Sequence, residues 1–377
     1  MDLMRKAKNL YRVNLGIAQQ NAVGDASCLP DLVFTPVPCY ALPVSTDDKA
    51  ASLKSGVRRE SSDDSVQSVC FFHDNIRIRE IRSSQAYGPT FGRFMAMLLY
   101  RGESLVMVLD SHNRFRLHWD SIIVNSYYRY EDPKALLSHY PPSATDDASD
   151  IHSRDKNSIA YLCNASFDEM LGYPVLAGIL IDSPARFHSN LRYNDPYVAV
   201  QSKNIKPSDN FRLPQPWAAA GFMFGSGLIM REVPFDPHLP HIFRGEEILY
   251  SMRLWTHGYN IYSPPCSILY HYYDRRNDPK VWDDSPMWST LERRSRRRVH
   301  YLIRGRFPLK AGEVFNNYME APPRVLPSTR ETEVLLDVER YGMGRVRTVE
   351  QWYNYAGVDP IHHTVDGRWC KNIYMSK

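Results

Sequence analysis

The stretch Leu105-Val106-Met107-Val108-Leu109-Asp110-Ser111-His112 carries the strongest indication of a fold. Five consecutive apolar residues lead directly into an aspartate and a histidine two positions apart. A run this short and apolar is typical of a central parallel strand, although periodicity alone does not separate it from a buried helix segment. Open α/β sheets bind ligands just beyond the carboxyl ends of their strands. Asp110 and His112 are therefore candidate ligands of one divalent cation.

The residues before this stretch complete a strand–helix–strand pattern. Residues 76–81 alternate between apolar and charged, as in a half-buried strand. Gly88-Pro89-Thr90 then begins a helix whose apolar residues recur every three or four positions, with Arg93 off the apolar stripe. The pattern predicts a unit of a nucleotide-binding α/β sheet that ends at Asp110 and His112.

Composition limits the class of protein. The chain has 377 residues, 43% hydrophobic and 23% charged, which is ordinary for a globular protein with ample core. The net charge of +4 is too small to indicate nucleic acid as a partner. No apolar run approaches the roughly 18 residues that span a bilayer, so we expect no membrane segment in this chain. The six cysteines show no zinc spacing and leave the redox compartment open.

The most informative part of the remaining chain runs from 216 to 275. Small residues stand beside aromatic residues at 217–225, where the backbone can approach a ligand closely. A helix is predicted from Phe243, with Glu246 and Glu247 in its first turn, where the helix dipole alone also favours acidic residues. His271 stands at the end of a predicted strand.

Other segments are predicted from composition and periodicity. The polar stretches 44–66 and 142–157 are predicted insertions, and Val349–Ala356 a helix. The run Arg293 to Arg298 lies in a predicted helix from Ser289. Its arginines form either a solvated face or a site for phosphate or an acidic acceptor surface.

Several motifs occur in a fixed order along the chain. They are Asp110-Ser111-His112-x-x-Phe115-x-x-x-Trp119-Asp120, Ala220-Gly221-Phe222-x-Phe224, Val233-Pro234-x-Asp236-Pro237, Gly245-Glu246-Glu247, Arg253-Leu254-Trp255-Thr256-x-Gly258-Tyr259, His271-x-Tyr273-x-Arg275 and Gly342-Met343-Gly344-x-Val346-Arg347-Thr348. As a set they resemble the polypeptide α-N-acetylglucosaminyltransferase family and, more distantly, the mucin-type polypeptide GalNAc-transferases.

The resemblance implies the GT-A fold, a Rossmann-like α/β fold of nucleotide-diphospho-sugar transferases with a mostly parallel central sheet flanked by helices. It implies a catalytic domain over 1–325 and a C-terminal extension over 326–377 packed on that domain. Ala7-Lys8-Asn9-x-x-Arg12-Val13 matches the segment that follows the family's first nucleotide-binding strand. We therefore expect that strand to be missing from this chain.

The resemblance also implies transfer of N-acetylglucosamine (GlcNAc), with retention of configuration, from UDP-GlcNAc to a polypeptide hydroxyl of hydroxyproline, Thr or Ser. Asp110, His112 and His271 would hold Mn2+ or Mg2+, and mixed His and carboxylate ligands suit manganese better than calcium. The implied donor-binding residues are Arg93, Asp110, Ala220 and Gly221. The implied catalytic residues are Glu246 and Glu247, which would bind sugar hydroxyls or position the acceptor.

Two alternatives remain open at this point. Donor choice rests on a few pocket contacts, so the same fold would also suit UDP-GalNAc or another UDP-sugar. A missing first strand would instead suit an inactive, transferase-like binding protein. The expected compartment depends on the same missing N-terminus. The protein would lie in the Golgi or secretory lumen if that N-terminus carries an anchor, and in the cytoplasm otherwise.

Overall fold

The structure of the chain is a computed structural model. It describes residues 2–26, 37–38, 69–70, 75–144, 159–181, 213–274, 280, 282, 285–304 and 334–374. The strands are β1 (Leu15–Asn21), β2 (Val37–Pro38), β3 (Val69–Cys70), β4 (Ile76–Arg82), β5 (Leu105–Leu109), β6 (Asn113–Phe115), β7 (Ala135–Ser138), β8 (Ile159–Asp168), β9 (Tyr173–Ile181), β10 (Leu213–Pro214), β11 (Phe222–Ser226), β12 (Asn260–Ser263), β13 (Leu269–His271), β14 (Val358–Asp359) and β15 (Thr364–Val365).

The helices are α1 (Asp2–Lys6), α2 (Pro89–Met97), α3 (Trp119–Tyr128), α4 (Ile229–Glu232), α5 (Glu246–Thr256), α6 (Trp288–Ile303), α7 (Val338–Tyr341), α8 (Val349–Ala356) and α9 (Arg368–Tyr374). The predicted insertion at 44–66, most of the one at 142–157, and the proposed domain boundary at 325 lie outside the described residues.

The central sheet confirms the α/β class and contains both parallel and antiparallel strand pairs. Its order is β10-β12-β7-β11-β5. Only β12 and β7 pair in parallel within this sheet; β11 runs antiparallel to both β5 and β7, and β10 antiparallel to β12. β5, β7 and β12 therefore run in one direction, and β10 and β11 run in the other. The described sheet is mixed: most strands share one direction, but most neighbouring pairs are antiparallel. An apolar run signals burial and carries no information on strand direction, so the antiparallel pairings were not predicted.

The three elements of the predicted strand–helix–strand unit are present as β4, α2 and β5, but β4 and β5 lie in different sheets. β4 pairs in parallel with β1, in register from Leu15 opposite Ile76 to Asn21 opposite Arg82. α2 packs on β1, where a Cβ on Gly16 would lie 3.5 Å from the Ala96 carbonyl oxygen. β5 has the predicted bounds, but it is half-buried and pairs only with β11 among the described strands. The expectation of a central strand is therefore wrong for the described sheet, in which β5 lies at an edge.

Helix α5 begins after a glycine that its surroundings require. Gly245 has φ +106°, and a Cβ there would lie 2.6 Å from the Tyr173 hydroxyl oxygen. The helix therefore starts at Glu246, three residues after the predicted start at Phe243. Trp255 is buried in the largest apolar cluster of the described residues. This geometry places Glu246 and Glu247 in the first helical turn.

The C-terminal part of the chain packs on α5 and on the β8–β9 hairpin. Helix α8 has the predicted bounds and begins with a capping box, in which Thr348 and Gln351 each accept a bond from the other's backbone amide. Cys163 on β8 is disulfide-bonded to Cys370 on α9. Within the described residues, no helix is both long and apolar enough to cross a membrane.

Candidate active site

Two strand ends bring one aspartate and two histidines together. Asp110 directly follows β5, and His112 precedes β6, which pairs antiparallel with β13 so that Asn113 lies opposite His271. The rings of His112 and His271 are 4.3 Å apart, and His271 Nε2 lies 3.4 Å from Asp110 Oδ2. One ligand atom of each residue lies within 4.8 Å of the other two.

These three residues fit a divalent cation. Two imidazoles and one carboxylate are ligands that borderline divalent metals accept. His271 is 8% exposed, and its Nδ1 is buried with no hydrogen-bond partner among the described residues. Burial alone would raise the pKa of Asp110, but the bond from His271 and the charge of Arg93 outweigh it and hold that pKa well below its usual range. The carboxyl group of Asp110 is thus ready to bind a metal as an anion.

Arg93 connects the metal candidates to helix α5. Its Nη2 lies 2.7 Å from Asp110 Oδ1, and its Nη1 lies 2.6 Å from Glu246 Oε1. Burial alone would lower the pKa of Arg93, but Glu246 and Asp110 outweigh it and raise that pKa above its ordinary value. Arg93 therefore stays charged between the two carboxylates, and its Nε is buried with no partner among the described residues.

Glu247 is held by two donors of the chain itself. Its Oε2 accepts a hydrogen bond from the Tyr140 hydroxyl (2.5 Å), and its Oε1 accepts one from the Ala220 amide (3.0 Å). Burial raises the pKa of Glu247 to about 7, although both bonds oppose this shift. Glu247 therefore titrates close to neutral pH.

The backbone beside Asp110 is held from two further sides. Ser138 on β7 accepts a hydrogen bond from the Ala219 amide (2.8 Å), and Ser251 on α5 accepts one from the Ala218 amide (2.8 Å). A Cβ on Gly221 would lie 3.3 Å from Asp110 Oδ2. The small residue at 221 therefore lets the backbone approach the metal candidates closely.

The structure brings the metal, donor-binding and catalytic residues that the family resemblance implies into one connected cluster. They are Arg93, Asp110, His112, Ala220, Gly221, Glu246, Glu247 and His271. The sequence motifs assign no role to Tyr140 or to Tyr273, although Tyr273 belongs to the motif His271-x-Tyr273-x-Arg275. The Tyr273 ring lies 4.2 Å from that of His271, and its hydroxyl donates to the Pro141 carbonyl (2.8 Å). No local signal in the sequence marks Tyr140, because its contact with Glu247 joins residues 107 positions apart.

The cluster lies in a chain of the glycosyltransferase class. The chain belongs to the GlcNAc glycosyltransferase family, because the family model described as Glycosyltransferase (GlcNAc) matches residues 1–362. A search of curated proteins gives no match.

One solved structure similar to this chain is a crystal structure of GalNAc-T7 with UDP, GalNAc and Mn2+. The identity is 15% and the TM-score 0.36, over 60% of this chain. The match spans 37% of the GalNAc-T7 chain, so this chain corresponds to well under half of that protein's length.

Proposed function

We propose that the chain is a metal-dependent, retaining glycosyltransferase that moves GlcNAc from UDP-GlcNAc to a hydroxyl of a polypeptide, on hydroxyproline, Thr or Ser. The observation that carries the proposal is the contact of the Asp110–His112–His271 cluster with the Arg93–Glu246 ion pair. Cation ligands and a buried guanidinium side by side suit a diphosphate leaving group, whose charge grows as the sugar bond breaks.

Asp110, His112 and His271 would hold Mn2+ or Mg2+, whose bound form supplies positive charge to the diphosphate. Arg93 adds a permanent positive charge on the same side and would contact the nucleotide or diphosphate. Ala220 and Gly221 would line the donor-sugar pocket, because small residues leave room for a sugar beside Asp110.

Glu246 is the carboxylate that we place at the substrate, where it would bind sugar hydroxyls or position the acceptor hydroxyl. In a retaining transfer on one face of the sugar, the departing phosphate oxygen accepts the proton of the acceptor hydroxyl. This route needs neither a protein base nor a covalent nucleophile, so we assign neither role. Glu246, buried beside Arg93, then orients hydroxyl groups rather than removing protons.

Release of UDP tests the proposal most directly. The full chain with Mn2+ and UDP-GlcNAc is expected to release UDP, and a metal chelator to stop the release. A panel of UDP-sugars in the same assay separates GlcNAc from GalNAc donors. No release with any donor, together with no rise in melting temperature on adding UDP and Mn2+, would leave an inactive, transferase-like protein instead.

The acceptor needs its own experiment. Matched peptides that differ only in carrying hydroxyproline, Thr, Ser or Ala at one position are incubated with the donor and analysed by mass spectrometry. Addition of one N-acetylhexosamine to a hydroxyl-bearing peptide, and none to the Ala peptide, is the expected result. UDP release without transfer to any peptide would argue against a polypeptide acceptor.

A further inference from the structure

The segment from Tyr140 to Ala144 lies between the two sides of the site. On one side the Tyr140 hydroxyl donates to Glu247 (2.5 Å). On the other side the His271 amide donates to the Pro142 carbonyl (2.9 Å), and the Ala144 amide donates to the His271 carbonyl (2.8 Å). One short stretch of chain therefore contacts both a first-turn glutamate of α5 and a metal candidate.

Glu247 also contacts the backbone beside Asp110. Its second oxygen accepts the bond from the Ala220 amide, so both carboxylate oxygens are engaged within the protein. Gly221 follows directly and sits against Asp110, with 3.3 Å between its hypothetical Cβ and Oδ2. A chain of contacts therefore runs from Tyr140 through Glu247 to the space beside Asp110.

We propose that Tyr140 is a positioning residue that, through Glu247, fixes the Ala220–Gly221 backbone beside Asp110 and in register with His271. Glu247 then orients the backbone beside Asp110, a role that differs from the binding of sugar hydroxyls or positioning of the acceptor that the family resemblance implies for it. The proposal rests on the proposed function, because only there are Ala220 and Gly221 placed at the donor sugar.

The chemistry of the contact predicts a dependence on pH. A hydrogen bond donated by a hydroxyl favours the carboxylate form of its acceptor. Four charged or titratable groups face Glu247: Tyr140 and Arg93 favour the carboxylate, Glu246 opposes it, and Tyr273 interacts with it electrostatically. Removing the Tyr140 hydroxyl therefore raises the pKa of Glu247 beyond its value in the wild type.

The first test is kinetic and uses the full chain with Mn2+. With Tyr140→Phe, we expect kcat/KM for UDP-GlcNAc to fall about tenfold, as for loss of one hydrogen bond to a charged group. The acid limb of the pH profile should move up by about one pH unit. Tyr130→Phe is the matched control, since it removes a buried tyrosine hydroxyl that donates to the Ser263 carbonyl (2.7 Å) instead. An active wild type whose pH profile is unchanged by Tyr140→Phe would overturn the proposal.

The second test needs no turnover, so it separates this proposal from the proposed function. The unfolding free energy is measured against pH for the wild type, Tyr140→Phe and Glu247→Gln. The folded protein binds the Glu247 proton more tightly than the unfolded chain, so the Glu247 contribution falls as pH rises from about 4.5 to about 7. In Tyr140→Phe the fall should continue to higher pH, and in Glu247→Gln it should be absent. A Tyr140→Phe curve that is merely offset from wild type at every pH would show a structural role alone and refute the proposal.

Discussion

The guanidinium of Arg93 occupies one oxygen of Asp110 while His271 faces the other. Nη2 of Arg93 lies 2.7 Å from Oδ1, and Nε2 of His271 lies 3.4 Å from Oδ2. The Asp110 carboxylate therefore contacts two groups, the permanent cation of Arg93 on α2 and the candidate metal ligand His271 on β13. Arg93 also pairs with Glu246, so the same guanidinium links Asp110 electrostatically to the first turn of α5.

Loss of Arg93 should destabilise the protein strongly. Arg93→Ala leaves Asp110 and Glu246 as neighbouring carboxylates without their shared cation, and breaking a buried ion pair typically costs about 3–5 kcal/mol. Urea unfolding without metal measures the effect. Arg93→Lys keeps the charge but lacks the planar fork that reaches two carboxylates, so an intermediate loss is expected. An Arg93→Ala variant as stable as the wild type would contradict the pairing.

The metal cluster makes a separate prediction. Mn2+ should raise the melting temperature of the wild type because it binds the folded state alone. Asp110→Ala, His112→Ala and His271→Ala should each abolish this rise and the Mn2+-dependent UDP release while the fold stays intact. His362→Ala is the matched control, since this exposed histidine pairs with Asp359. A Mn2+-induced rise that survives in Asp110→Ala would remove Asp110 from the ligand set.

The disulfide should contribute substantially to stability. Cys163 and Cys370 are 207 residues apart, and loss of a native disulfide typically costs about 2–5 kcal/mol. The unfolding free energy of the wild type should fall on reduction, and that of Cys163→Ser should not. Cys266→Ser is the control, because Cys266 is a free thiol and its loss should leave the response to reduction unchanged. Alkylation of Cys163 in denatured, unreduced protein would exclude the bond. Disulfide bonds of this kind persist in oxidising compartments. The spacing of the cysteines alone does not indicate the redox compartment of the protein.

Local signals in the sequence predicted the elements that carry the site. β5 has the predicted bounds because its apolar run ends directly at Asp110. α8, which lies outside the site, also has the predicted bounds, and the capping box seen in the structure accounts for its start. The close approach of His271 to Asp110 was reachable only through the family resemblance, because it depends on the pairing of β6 with β13.

Other features depend on contacts between distant parts of the chain. The direction of β11 between β5 and β7 is not encoded in its apolar residues, and the Cys163–Cys370 bond follows from the packing of α9 on β8. The contact of the Tyr140 hydroxyl with Glu247 likewise joins residues that are 107 positions apart. Such pairings can be predicted only from the three-dimensional fold, because the residues adjacent to each partner in the sequence do not indicate the other.

The basic helix α6 divides into arginines with different environments. Arg298 is 1% exposed, and its Nε lies 2.7 Å from Asp236 Oδ2, whereas Arg297 one position earlier is exposed. Neither a solvated face nor a phosphate site therefore describes the whole run. The buried partner belongs to the Val233-Pro234-x-Asp236-Pro237 motif, which thus has a structural role at this position.

Asp236→Ala should therefore cost about 3–5 kcal/mol of unfolding free energy, because it leaves the Arg298 charge buried without its carboxylate. Arg297→Ala should change stability by no more than about 0.5 kcal/mol, as for an ordinary surface substitution. Replacing the pair together, Asp236→Leu with Arg298→Met, should be less destabilising than Asp236→Ala, because Arg298 no longer remains as a buried charge without its carboxylate. Buried Arg253 loses Asp236 as a nearby carboxylate in both variants, so this loss does not distinguish them. Chemical denaturation of the four proteins measures these differences. Equal losses for Asp236→Ala and Arg297→Ala would show that burial does not distinguish the two arginines.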